Sequence, residues 1–289
     1  MSVLEHQLVL PPGSRPAVAR TPLVDVATGS RPRHRRRVPR WARRLAGPVL
    51  LVALWQLASA TGVLDSRTLA SPSEAFTAGR HLVATGELQT HLWTSLQRVL
   101  WGLAIGVSAG LGLAVLAGMS RLGDDLVDST VQLLRGIPVL ALTPLLILWL
   151  GINEQPKIAM VALAVTFPVY LNTFGAIRGV DDKLVETAHV FGVDRRGLIR
   201  HVIIPGALPG FLVGLRYALA VAWLVLVISE QINATSGVGY LMMQARMAFR
   251  TDVIVVGLFI YGFLGLLSDG IVRFLERTFL SWRRGFSGS

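Results

Sequence analysis

Long stretches of the chain carry no Asp, Glu, Lys or Arg, and they recur at the lengths a lipid bilayer demands. Arg44 to Asp65 encloses 20 such residues, Arg98 to Arg121 encloses 22, Arg135 to Glu154 encloses 18 and Lys157 to Arg178 encloses 20. From His201 to Ser229 only Arg216 interrupts. Asp252 to Asp269 encloses 16, and the apolar pattern resumes as far as Arg273. A hydrocarbon core of about 30 Å needs about 20 apolar residues at 1.5 Å each. The pattern therefore predicts six membrane helices, the last two less clean.

Positive charge orients them. With the N-terminus inside, the inner segments hold 20 of the 28 Lys and Arg residues and the outer segments six, with Arg135 and Arg216 left inside the spans. This asymmetry predicts an N-in, C-in all-α membrane protein. Composition agrees: hydrophobic residues make up 52% and charged residues 16%, against about 25% charged in an average soluble domain. The net charge of +11 suggests no nucleic-acid surface, because ten of the basic residues crowd the first 44 positions and most others flank apolar runs. With no cysteine, disulfides, thiolate metal sites and cysteine nucleophiles are excluded.

Residues 1–44 read as a basic, disordered cytoplasmic tail. Pro11, Pro12, Pro16, Pro22 and Pro32 prevent it from burying an apolar face. The run from Arg31 to Arg44 suits anionic lipid headgroups. Ala58-Ser59-Ala60 also fits a secretory cleavage site, but the apolar run before it suits a full-length span. Residues 45–282 form the transmembrane domain, and 283–289 a short cytoplasmic tail. On the second span Gly102, Gly106 and Gly110 recur every four residues, continued by Ala114 and Gly118, a stripe that lets another helix approach closely. Packing within the chain and a dimer seam are both open to it. Trp93, Trp101, Trp149 and Trp282 lie near span ends. Pro138 and Pro144 predict a bent or broken third span.

Enzyme signatures are missing. The only lysines, Lys157 and Lys183, have no preceding glycine loop to cradle a nucleotide, and the six histidines show no metal-ligand spacing. No metal site or cofactor is expected in this chain. The informative segment is the longest inner loop, 178–205. Asp181 and Asp182 can cap a short helix, on which Leu184, Val185, Ala188 and Phe191 share one face. Gly192 ends it in the left-handed conformation, Asp194 caps a second helix, and Pro205 closes the run before the fifth span. The result is a helix–turn–helix at the membrane surface, either packed on its own bundle or offered to a partner.

Glu186-Thr187-Ala188, three residues, Gly192, nine residues and then Val202-Ile203-Ile204-Pro205 resembles the EAA loop of permease subunits of ATP-binding-cassette importers. Thr187, Val202 and Ile204 depart mildly from that pattern. Further segments resemble the nitrate/sulfonate/taurine branch: Leu69-Ala70-Ser71-Pro72-Ser73, Gly86-Glu87-Leu88, Leu134-Arg135-Gly136-Ile137-Pro138, Leu215-Arg216-Tyr217 and Ser236-Gly237-Val238-Gly239-Tyr240-Leu241. Phe167-Pro168-Val169-Tyr170-Leu171-Asn172-Thr173 looks closest to aliphatic-sulfonate permeases. The resemblance runs from about Trp55 to Trp282 and leaves out the tail. It implies a type I importer permease in a bacterial cell membrane, working as a homodimer with two ATPase subunits that hold the ATP and Mg, and with an extracytoplasmic binding protein. Glu186, Thr187, Ala188, Gly192 and Pro205 would couple to the ATPase. Sulfonate is the first expectation for the cargo, with taurine or nitrate as alternatives.

Arg135 and Arg216 are charges placed where a bilayer penalises them by about 2.5–3.5 kcal/mol. Each is expected about 13–15 Å deep by helix rise. Near Pro138, the two guanidinium groups would form an anion-favouring constriction, since their forks match tetrahedral oxyanions. The competing expectation ties each arginine to helix carbonyls, to Asp128 or Asp269, or to headgroups. Glu230, before the glycine-containing turn at Gly237 and Gly239, is expected to anchor that turn as part of an external gate or to be a simple interfacial carboxylate. A carrier driven by an ion gradient is the alternative from another class. It would need an intramembrane acidic relay, for which Glu230 and Asp269 are the candidates.

Overall fold

The computed structural model describes residues 40–280, with side chains from residue 46 on. The expected tail and Trp282 therefore lie outside the described side chains. The chain divides between Ala46 and Gly47, and the unit from Gly47 onward holds every site discussed below. Among the described residues all regular structure is helical. In order come α1 (Arg40–Ala60), α2 (Pro72–Ala84), α3 (Glu87–Gly118), the single turn α4 (Arg121–Gly123), α5 (Ser129–Leu134), α6 (Thr143–Leu150) and α7 (Gln155–Arg178). Then follow α8 (Asp182–Val190), α9 (Arg195–Leu198), α10 (Ile204–Asn233), α11 (Val238–Met247) and α12 (Thr251–Phe279).

Local sequence sets the boundaries. Ser71 caps α2 through a reciprocal pair: its hydroxyl accepts from the Glu74 amide, and the Glu74 carboxylate accepts from the Ser71 amide at 2.7 Å, with Pro72 in the first turn. Gly86, at φ +76°, turns the chain sharply into α3.

Among the described residues four helices are long and apolar enough to cross a membrane: α3, α7, the run Arg195–Asn233 and α12. The pair Arg121–Leu134 and Val139–Leu150, bent by 80°, supplies a fifth span if counted as one; the apolar part of α1, Ala46–Ala60, is shorter. The third span thus breaks at residues 135–138, which include Pro138, while Pro144 sits in the first turn of α6 and starts that helix. A charge-free window marks where charge stops, not where helix geometry starts. The fifth span also differs from expectation. Pro205 does not close the preceding run: the helix continues through it from α9 by a π-turn at Ile199–Ile203. The wider turn accommodates a residue that lacks an N–H and crowds the carbonyl four positions back.

The centre of the bundle is α7, gripped on two sides by small residues. Gly102, Gly106, Gly110 and Gly118 of α3 all face it. A Cβ added at Gly106 would stand 2.5 Å from the Ala162 carbonyl oxygen, and one at Gly110 would stand 2.6 Å from that of Thr166. From the other side Gly214 of α10 meets the Pro168 carbonyl. The glycine row is packing within the chain, where backbone approach replaces the hydrophobic drive that lipid does not offer. Val99, Met160, Val161, Val165, Val169, Ala218, Ala222 and Leu226 fill the core between the three helices.

Helix directions give the bundle two ends. Glu87, Gln155, Asn233 and Thr251 mark one; Gly118, Arg178, Ile204 and Phe279 mark the other. At the second end the π-turn Asp124–Asp128 is held to α7 twice. The Tyr170 hydroxyl donates to Asp128 at 2.9 Å, and Arg178 pairs with Asp124.

Candidate functional site: a coupling loop and a buried charge knot

At the Arg178 end, α8 is built from its caps. The Asp181 carboxylate accepts from the Lys183 amide at 2.9 Å, and Gly192, at φ +70°, closes the helix while the Val193 amide reaches back to the Ala188 carbonyl. The expected apolar face divides. Ala188 is buried and Val185 half-buried against the bundle, while Leu184 and Phe191 stand 56% and 80% exposed. Thr187, Ala188 and Pro205 line one groove of about 450 Å³, completed by Leu184, His201 and Val202. Glu186 and Gly192 lie exposed outside it. Among the predicted coupling residues, three therefore converge on a groove and two flank it.

At the opposite end lies a knot of charge. Arg98 is 2% exposed and Glu230 1%. Arg98 Nη1 donates to Glu230 Oε1 at 2.6 Å and to the Ser236 carbonyl at 2.7 Å, while its Nε and Nη2 grip Glu154 as a fork. Glu230 also accepts from the Ser95 hydroxyl at 2.8 Å and from the Gly239 amide at 2.8 Å. Ser95 Oγ accepts from the Val238 amide, and His91 Nδ1 accepts from the Gly237 amide. The turn 234–237 is thus stitched onto α3 and α10. At Gly237, φ is +115° and a Cβ would strike the Glu230 carboxylate, so the turn needs glycine there. Lys157, also buried, donates to the Asn153 carbonyl and lies 3.5 Å from Glu154. Two cations and two carboxylates balance, which is the condition for burying such groups at all. Outside the spans, Glu154 is held below the usual carboxylate range, chiefly by its hydrogen bonds from Arg98.

Sequence reasoning found Glu230 and missed Arg98, which it treated as the charge delimiting a span. One signal was available: Arg98 sits in the same every-fourth-residue register as Gly102, Gly106, Gly110, Ala114 and Gly118, and so belongs to the buried face. Glu154 and Lys157 carry no comparable mark.

The two intramembrane arginines do not meet as a matched pair. Arg135 follows α5 at the 80° break and is exposed, with no ion pair among the described residues. Pro138 begins the 3₁₀ turn Val139–Leu142 on the far side of that break. Arg216 lies against α12 instead: Nη2 donates to Glu276 at 2.8 Å, and Nε stands 3.3 Å from Asp269, which also pairs with Arg273. Both acids that an ion-driven relay would require are occupied, Glu230 by the knot and Asp269 by two arginines.

A bundle of broken and bent membrane helices, with a capped helix displayed at one end and a charge-neutral knot at the other, is the build of a transport permease. The chain belongs to the family of binding-protein-dependent transport system inner membrane components, which it matches over residues 103–281. It is an ABC transporter permease, a non-catalytic membrane subunit. It is 48% identical over 252 residues to the putative aliphatic sulfonates transport permease protein SsuC of Escherichia coli (strain K12), covering 86% of this chain and 96% of that one. To the SsuC of Bacillus subtilis (strain 168) it is 41% identical, covering 86% and 90%. To the taurine transport system permease protein TauC of Escherichia coli (strain K12) it is 30% identical, covering 81% and 86%. A crystal structure of an amino acid ABC transporter with histidines shares the fold, with a TM-score of 0.56 at 20% identity over 69% of this chain and 97% of that one.

Proposed function

We propose that this permease moves aliphatic sulfonates inward across a bacterial cell membrane, as a homodimer driven by two separate ATPase subunits that bind the ATP and Mg. A binding protein delivers the anion from outside. The greater identity to the two sulfonate permeases than to the taurine permease supports the cargo. The observation that carries the coupling is α8: a doubly capped helix whose buried Ala188 faces His201, Val202 and Pro205 across a groove, and whose Leu184 and Phe191 are exposed. Rigid caps and a seated base let a push on α8 move the attached ends of α7 and α10 as one body. On this reading the α8 end faces the cytoplasm, the Arg98–Glu230 end faces outward, and both termini are cytoplasmic.

The break at Arg135–Pro138 supports a dimer and a pathway together. Irregular backbone is tolerated at membrane depth only where protein or a water-filled path covers it. Leu133 and Ile137 beside it are 73% and 41% exposed in the single chain. A second copy across a two-fold axis would cover this face and bring two Arg135 guanidinium groups to one passage. Arg216, neutralised by α12, then stabilises the bundle, and Glu230 fixes the outer turn that closes the passage.

Reconstitution tests the reading. Vesicles containing the permease, its ATPase and its binding protein should accumulate a radiolabelled alkanesulfonate only with ATP, and excess unlabelled sulfonate should compete better than taurine or nitrate. Accumulation by this chain alone, without ATP, would contradict it.

A further inference from the structure

At the proposed outer end, the chain turns from α11 into α12 through Met247, Ala248, Phe249 and Arg250. Phe249 is the one non-glycine residue with a left-handed backbone among the described residues, at φ +54°. Its side chain is 86% exposed. The turn itself is firmly made: the Phe249 amide reaches the Arg246 carbonyl at 3.2 Å, and the Arg250 amide reaches the Ala245 carbonyl at 2.8 Å. Glycine would hold that conformation without strain. A bulky aromatic there strains the backbone, while burying little of its ring within the chain. Such strain, held in place by its surroundings, marks a position where the side chain serves something else.

The surroundings describe what that is. Met247 beside it is 71% exposed. Arg67, Arg246 and Arg250 stand exposed around the knob, and Arg67 and Arg246 make no ion pair among the described residues. A polar hollow of about 290 Å³ lies against Phe249, lined also by Ser66, Arg67, Thr251 and the carboxylates Glu74 and Asp252, the latter paired with Arg250, and the Thr251 hydroxyl ties Thr251 to the Ser66 carbonyl at 2.6 Å. A lipid-facing anchor is typically an indole or phenol at a span end, whereas Phe249 borders a hollow lined by charged and hydroxyl groups. An exposed aromatic and methionine with arginines beside them is instead the composition of a protein-binding hot spot.

We propose that Phe249 and Met247 form the knob on which the binding protein docks, presenting to it an apolar depression rimmed by carboxylates. The inference rests on the reading that this end faces outward and that a binding protein delivers the cargo, in keeping with a family described as binding-protein-dependent. Arg67 and Arg246, which make no ion pair among the described residues, would meet carboxylates on the partner's rim, making docking salt-sensitive.

The absence of native cysteine makes a direct test possible. In vesicles carrying the whole transporter, Met247→Cys should react with a membrane-impermeant maleimide from the outer side, and saturating liganded binding protein should slow that reaction at least tenfold. Failure to label from outside would overturn the orientation on which the inference rests. Labelling that the binding protein leaves unslowed would overturn the docking knob alone. In parallel, Phe249→Gly relieves the backbone and should keep the transporter as stable as the parent, yet raise about tenfold the concentration of binding protein that half-saturates ATP hydrolysis. An unchanged half-saturation would also overturn the proposal.

Discussion

Arg98 and Glu230, 132 positions apart in sequence, meet at 2.6 Å with side chains 2% and 0% exposed, and through them α3, α10 and the turn before α11 become one unit. Removing Arg98 leaves the buried Glu230 carboxylate without its cation, and removing Glu230 leaves the buried Arg98 with Glu154 as its one remaining ion-pair partner among the described residues. Arg98→Gln or Glu230→Gln should each destabilise the solubilised protein by about 3–5 kcal/mol. The double variant should lose less than the sum, by about 1–3 kcal/mol, because the stranded charge is gone. Thermal unfolding in detergent measures both.

The same knot makes a pH prediction through Glu154. Its carboxyl titrates below the ordinary range when folded, so its contribution is complete above the unfolded value and disappears as pH falls through the folded one. The stability difference between the parent and Glu154→Gln should therefore be constant near neutrality and vanish in acid below the usual carboxylate range. Its side chain is 50% exposed, which keeps the difference small. A difference that grew on acidification would remove Arg98 as the cause.

The helix seam on α7 separates two kinds of glycine. Gly106→Ala forces a methyl group against the Ala162 carbonyl and should cost about 1–3 kcal/mol, whereas nothing lies within 4 Å of a Cβ at Gly112. Gly112→Ala should be neutral or stabilising by up to about 1 kcal/mol from helix propensity. Equal effects at the two positions would contradict the seam.

The two arginines within the predicted spans should behave differently. Arg135→Gln should lower the rate of sulfonate uptake and its preference over neutral solutes. Arg216→Gln, which leaves Asp269 paired with Arg273, should reduce stability by under about 1 kcal/mol, since the group is 41% exposed, and leave substrate preference intact. Initial-rate uptake with purified variants distinguishes them.

Much of this architecture was legible in the sequence because its signals are local. Asp181 and Gly192 announce both ends of α8 through capping chemistry, and the four-residue glycine period announces a close helix contact without naming its partner. What escaped was long-range or geometric. The ties of Arg98 to Glu230 and Glu154 join residues whose proximity no single-chain pattern encodes. Pro205 looked like a terminator because proline interrupts standard helices, and the π-turn that absorbs it has no local signature. The charge-free window from Arg135 to Glu154 looked like one bent helix, while the chain turns through 80° between Leu134 and Val139, with Arg135 at that break.

The most direct test concerns the exposed edge of α8. Phe191→Asp and Gly192→Val, expressed with the ATPase subunit in membranes, should insert at parental levels yet lose at least nine-tenths of the ATPase that co-purifies with the parent, because one removes the uncovered aromatic and the other breaks the left-handed cap. Undiminished co-purification with both variants would show that the motor grips the permease somewhere else.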